Sequence, residues 1–172
     1  VGTSTLEGPA TPTPTKPRSL AMTRIYQGLG LSFLYPENWN ITEDTDDGKL
    51  VGFTLESPSS AFLTVTEYPW TVTPADALDQ SYQILRSEYD DVEFEEIPPP
   101  INAEQHSLSE CIAGDVRFYY LDLMVISRLI AFVMNQRTYL VQIQAEDRDF
   151  DKLEMVFQAI LISIFQSAHK DA

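Results

Sequence analysis

The stretch from Asp115 to Phe165 limits the fold more than any other part of the chain. From Arg117 it reads RFYYLDLMVISRLIAFVMNQRTYLVQIQAEDRDFDKLEMVFQAILISIF, two or three apolar strands turning back on one another and then an amphipathic helix. Strands that follow one another before a helix, rather than alternating with helices, point to an α+β fold. The expected architecture is a mainly antiparallel sheet with a helix on one face. Tyr139, Val141 and Ile143 alternate with Thr138, Leu140, Gln142 and Gln144, which fixes the core face of the last strand. Phe150, Leu153, Phe157, Ile160, Leu161 and Ile164 recur at helical spacing and predict a helix over about Asp149 to Phe165. Met155, Val156 and Ile162 widen its stripe, so its C-terminal half is expected to be nearly enclosed.

Size and charge narrow the choices. The 172 residues suffice for one domain with a real core. Twenty-six acids against 11 bases leave a formal charge of −15, which repels a nucleic-acid backbone or an anionic membrane and leaves a basic protein surface as a fitting partner. Cys111 is the only cysteine, so no intramolecular disulfide forms. No uncharged apolar run reaches the 18 residues of a membrane-crossing helix.

Residues 1–24 open with VGTSTLEGPATPTPTKPRSL and are expected to be a disordered Thr/Pro-rich tether. Repeated proline removes donors, and threonine and serine add no core. A tether implies something upstream, a signal peptide or a lipid-anchored N-terminus, and hence an extracytoplasmic location, with the cytoplasm as the alternative. A single α+β domain is assigned to residues 25–166 and a frayed tail to 167–172.

Within the domain, Gly28-Leu29-Gly30 is a turn before a short strand, Leu31 to Tyr35. Trp39-Asn40-Ile41 opens the next strand, with Trp39 capping the core, and Asp44, Asp46, Asp47 and Gly48 form a solvated loop. Leu50–Leu55 and Ala61–Glu67 are strands joined by Ser57-Pro58-Ser59-Ser60. Thr73, Pro74 and Asp76 carry the marks of a helix start, and Leu78, Tyr82, Leu85 and Tyr89 form its stripe. A strand around Val92 to Glu95 follows, then Pro98-Pro99-Pro100 breaks regular structure. Ala113-Gly114-Asp115 looks like a turn feeding a strand from Val116 to Leu123. No clean turn separates that strand from Leu129–Met134, which leaves a bulge, a long bent strand or a tight hairpin.

Signals for chemistry are few. His106 and Cys111 would make a Cys–His pair only with a third orienting group, and their ordinary roles are a part-exposed histidine and a buried thiol. Ser167-Ala168-His169-Lys170 has the Ser-x-x-Lys spacing but sits at a loose end. With one Cys and no histidine pair, neither a metal site nor a cofactor site is expected, and no catalytic residue is assigned. Asn40-Ile41-Thr42 fits the glycosylation acceptor pattern, which arises freely by chance. Glu88, Asp90, Asp91, Glu93, Glu95 and Glu96 form the densest charge cluster. Its ordinary role is a charged edge that discourages sheet-to-sheet association, and its functional role would be to hold a basic partner. Tyr68 and Trp70 flank Pro69 before the first helix and are candidates for a partner surface, since both residue types are enriched at binding hot spots.

The order of these features resembles the Mog1/PsbP-like fold group, which includes bacterial PsbP-like and uncharacterised exported domains. The likeness rests on LSFLYPENWN (Leu31–Asn40), AGDVRFYYLD (Ala113–Asp122), RTYLVQIQAE (Arg137–Glu146) and FDKLEMVFQAILISIF (Phe150–Phe165). Phe33, Pro36 and Trp39 match the group's first-hairpin pattern, and Phe157, Ile160, Ser163 and Phe165 its closing helix. The resemblance implies an antiparallel sheet sandwiched by helices, an α/β/α sandwich used for binding rather than catalysis. PsbP proteins assist photosystem II and Mog1 binds the Ran GTPase, but no residue pattern here carries either role. The expected function is a non-catalytic binding or accessory domain acting through protein contacts. The alternatives are a ligand-binding or enzymatic domain with a pocket between sheet and helices, and a cytosolic Mog1-like regulator.

Overall fold

A computed structural model of the chain describes residues 22–99, 108 and 110–167, together with Gly2 and Gly8. Among the described residues, nine strands and two helices follow one another: β1 (Thr23–Gly28), β2 (Leu31–Pro36), β3 (Asn40–Asp46), β4 (Lys49–Glu56), β5 (Phe62–Tyr68), α1 (Pro74–Glu88), β6 (Glu93–Ile97), β7 (Cys111–Tyr120), β8 (Leu123–Met134), β9 (Arg137–Glu146) and α2 (Asp147–Gln166). Seven strands form one antiparallel sheet in the order β3-β4-β5-β9-β8-β7-β6, while β1 and β2 make a separate hairpin. β9 leaves β8 and pairs with β5, with Val65 opposite Val141, so the chain's last strand joins its two halves.

Both faces of the sheet are covered, because alternate residues of its central strands are apolar in both directions. On one face Tyr139, Val141, Ile143, Ile130 and Phe132 pack with Phe157, Ile160, Leu161, Ile164 and Phe165 of α2 and with Tyr26, Leu31 and Phe33 of the hairpin. On the other, Leu129, Ala131, Leu140, Val116 and Phe118 pack with Leu78 and Leu85 of α1. Trp39 is buried edge-on to Phe157, with ring centres 5.6 Å apart, the core-capping place expected of it. The helices therefore sandwich an antiparallel sheet, as the resemblance implies.

Several local expectations need correction. Ala113-Gly114-Asp115 is strand, not turn, for β7 starts at Cys111. The glycine serves packing: a Cβ on Gly114 would lie 2.4 Å from the Phe94 ring. Asp115 is buried and accepts two hydrogen bonds from Arg128, at 2.8 and 3.1 Å. The acid-rich loop shrinks to Asp47-Gly48, because β3 stays paired with β4 through Asp44 and Asp46, across a register shift between Asp44 and Thr45. Between β7 and β8 there is neither bulge nor bend but a tight hairpin, closed by Leu121 and Asp122 with Tyr120 opposite Leu123. The first strand begins at Thr23, and α2 begins at Asp147. The C-terminal half of α2 is less enclosed than its sequence implies, with Ile162 part-exposed and Met155, in its middle, 80% exposed.

The start of α1 is as expected. The Thr73 hydroxyl accepts from the Asp76 amide at 3.1 Å, and Pro74 occupies the first turn, where its missing N–H leaves no gap.

Candidate interaction surface

α1 runs between the two ends of the sheet and separates the residues singled out from the sequence. At its start, Tyr68 ends β5, and Trp70 stands 77% exposed in the Pro69–Val72 turn. Below it the Val72 carbonyl accepts from the Thr138 hydroxyl at 2.7 Å. At its end lie Glu88, then Asp90, Asp91 and the short edge strand β6 with Glu93, Glu95 and Glu96, all exposed. Fifteen helical residues span roughly 22 Å, so the aromatic pair and the acids belong to two surfaces.

The acidic end also holds something the sequence did not single out. The β7–β8 hairpin ends beside the start of β6 and exposes Tyr119 (62%), Tyr120 (54%), Leu121 (78%) and Leu123 (53%) in one run. Tyr89, which ends α1, stacks on Phe118 with ring centres 4.1 Å apart and meets Tyr120 edge-on at 6.1 Å, tying helix end to hairpin tip. Asp91 and Glu93 lie beside this apolar tip, whereas Glu95 and Glu96 pair with Asp115 and Gly114 farther down β7.

Local backbone geometry sets the tip apart. Four hairpins turn on two residues with positive φ: Leu29-Gly30, Asp47-Gly48, Leu121-Asp122 and Asn135-Gln136. Such turns favour Gly, Asn and Asp, and a side chain like leucine is strained there. Leu29 is explained by burial, and its carbonyl accepts the Tyr139 hydroxyl at 2.6 Å. Asp47 and Asn135 suit the turn. Leu121, at φ 49°, is neither buried nor suited to its backbone.

A shallow cleft of about 200 Å³ opens beside the tip, lined by Asp91, Glu93, Arg117, Phe118, Tyr119 and Met124. Arg117 crosses β6 to reach Glu95 at 2.9 Å and lies 3.7 Å from Asp115. Arg128 continues the network to Glu154 at 3.7 Å and covers the Phe150 ring at 4.9 Å. Burial works against the charge of Arg128, but its bonds to Asp115 and Glu154 outweigh that and raise its pKa.

Elsewhere, a groove of about 290 Å³ between β2 and α2 is walled mainly by Leu34, Pro36, Val156, Ala159 and Ile162, with the Ser163 hydroxyl oxygen accepting from the Leu34 amide at 2.8 Å. Burial pushes the Cys111 thiol up to about 11, the opposite of an activated nucleophile. Tyr26 is raised by burial and by its hydrogen bond to Glu43 at 2.9 Å. His106, His169 and Lys170 lie outside the described residues. Among the described residues no three His, Cys, Asp or Glu are grouped to hold a metal ion, and no helix is long and apolar enough to cross a membrane.

No family model and no curated protein sequence matches this chain. Solved structures do. The cyanobacterial PsbP (CyanoP) of Synechocystis sp. is 16% identical with a TM-score of 0.54, over 88% of this chain and 96% of that one. The Ran-binding protein Mog1p of Saccharomyces cerevisiae is 8% identical with a TM-score of 0.55, over 86% and 98%. The chain has the Mog1/PsbP-like α+β fold, and at such identities the likeness extends to the fold alone.

Proposed function

We propose that this is a non-catalytic binding or accessory domain that acts by presenting the β7–β8 end of its sheet to another protein. The observation that carries this is Leu121, a large apolar side chain held out in solvent on a backbone that disfavours it. Strain of this kind persists where surrounding structure enforces it and is concentrated at functional sites. Its neighbours Tyr119, Tyr120 and Leu123 make a compact apolar contact area, and contiguous exposed apolar surface rimmed by polar residues marks interaction sites. That the yeast structure of the same fold is a Ran-binding protein supports protein contact as a use of this scaffold.

A ligand-binding or enzymatic role would need convergent polar groups with shifted pKa values in a pocket. The β2/α2 groove is instead walled chiefly by aliphatic side chains, and Tyr26, Cys111 and Arg128 are absent from its lining. The Thr/Pro-rich composition of residues 1–24 supports a tethered domain outside the cytoplasm, which fractionation of cells expressing the natural gene product would check against a Mog1-like cytosolic setting.

Affinity capture from native extract tests the surface. A Leu121→Asn, Leu123→Thr variant should lose the partner that the parent retains, while Trp70→Ala should keep it. Loss with Trp70→Ala and retention with the tip variant would move the contact to the other end of α1.

A further inference from the structure

The chemistry of the partner follows from what surrounds the tip, and rests on the tip being the contact surface. We propose that the tip receives a basic segment of a partner protein, seating a lysine or arginine side chain in the cleft between Asp91 and Glu93 while flanking apolar residues cover Leu121 and Leu123.

The occupant is chosen by charge. Of the three charged groups that line the cleft, Arg117 is already engaged with Glu95 and Asp115. The side chains of Asp91 and Glu93 have no hydrogen bond or ion pair among the described residues, so both carboxylates stand open to an incoming cation. Tyr119 and Met124 supply the rest of the wall. A lysine or arginine stem packs along such apolar surface while its head stays with the acids, and an aromatic ring close by adds cation–π attraction. Asp122 in the turn and Asp90, next to Asp91 in the chain, add exposed negative charge near the mouth. That field favours encounter with a basic segment and sets acid against acid if a second copy of this chain approaches. Nucleic acid and anionic lipid are repelled in the same way.

Three fluorescein-labelled peptides serve as probes for the 172-residue chain: alternating leucine and lysine, alternating glycine and lysine, and alternating leucine and glutamate. Fluorescence anisotropy should show binding of the leucine–lysine peptide and at least tenfold weaker binding of the other two. Asp91→Asn with Glu93→Gln should weaken the leucine–lysine peptide about tenfold, and Leu121→Asn should do likewise. Asp46→Asn with Asp47→Asn removes the same number of charges at the far edge of the sheet and should change binding less than twofold. Equal weakening by the two charge pairs would reduce the effect to net charge and overturn the proposal. Equal binding of the glycine–lysine peptide would overturn its apolar half. If the extract partner depends on Leu121 but is indifferent to Asp91 and Glu93, the basic segment falls and the tip stands. If partner and peptide both ignore Leu121, the tip itself is wrong.

Discussion

Leucine at φ 49° sits where its Cβ crowds the following carbonyl, at a cost of about 1–2 kcal/mol. Nothing in the core recovers that for Leu121, in contrast to Leu29, which is buried in the core at the β1–β2 turn. Cys111 shows the reverse case, a reactive residue type made inert by its surroundings. Burial raises its pKa from 9.0 to about 11, so the thiol contributes stability below about pH 9 that is lost as pH rises through about 11. Native-state alkylation at pH 8 should therefore run about two orders of magnitude slower than in denaturant, since each pKa unit is tenfold in thiolate. Equal rates measured by mass spectrometry would mean the thiol is not buried as described.

At the level of elements, α2 holds the longest stretch of the fold together. Phe157 is buried against both Trp39 and Phe150, with ring centres 5.6 and 5.9 Å away, so it links the helix to the start of β3 as well as to its own first turn. Phe157→Ala should cost about 3–5 kcal/mol. At roughly 2–4 °C per kcal/mol for a chain of this size, thermal denaturation should shift down by about 10 °C. A shift under 2 °C would show that the helix does not roof the sheet. How legible each element is follows from the range of the forces that form it. The α1 start could be read because Thr73, Pro74 and Asp76 act within one turn of chain. The start of β7 could not, since Gly114 answers to the Phe94 ring and Asp115 to Arg128, both distant in sequence. The hairpin at Leu121 was hidden for another reason: Leu-Asp carries none of the turn chemistry that marks Asp47-Gly48.

For the molecule as a whole, the fold was legible because alternation and helical spacing are averaged over many residues. The proposed contact surface was only half legible. The acids stand out in composition, whereas the apolar tip beside them reads in sequence as ordinary strand. Trp70, the other prominent candidate, lies at the opposite end of α1, so one charged end and one aromatic end divide what the sequence grouped together. The formal charge of −15 opposes association between copies, which favours an exposed apolar tip.

The central claim is that Leu121 is kept at the tip for contact rather than for folding. Melting temperature and partner capture measured on one preparation of Leu121→Asn test it most directly. Relief of about 1 kcal/mol of backbone strain should raise Tm by about 2–4 °C while capture is lost. A variant that melts lower than the parent, or that captures the partner as well as the parent does, would contradict the account.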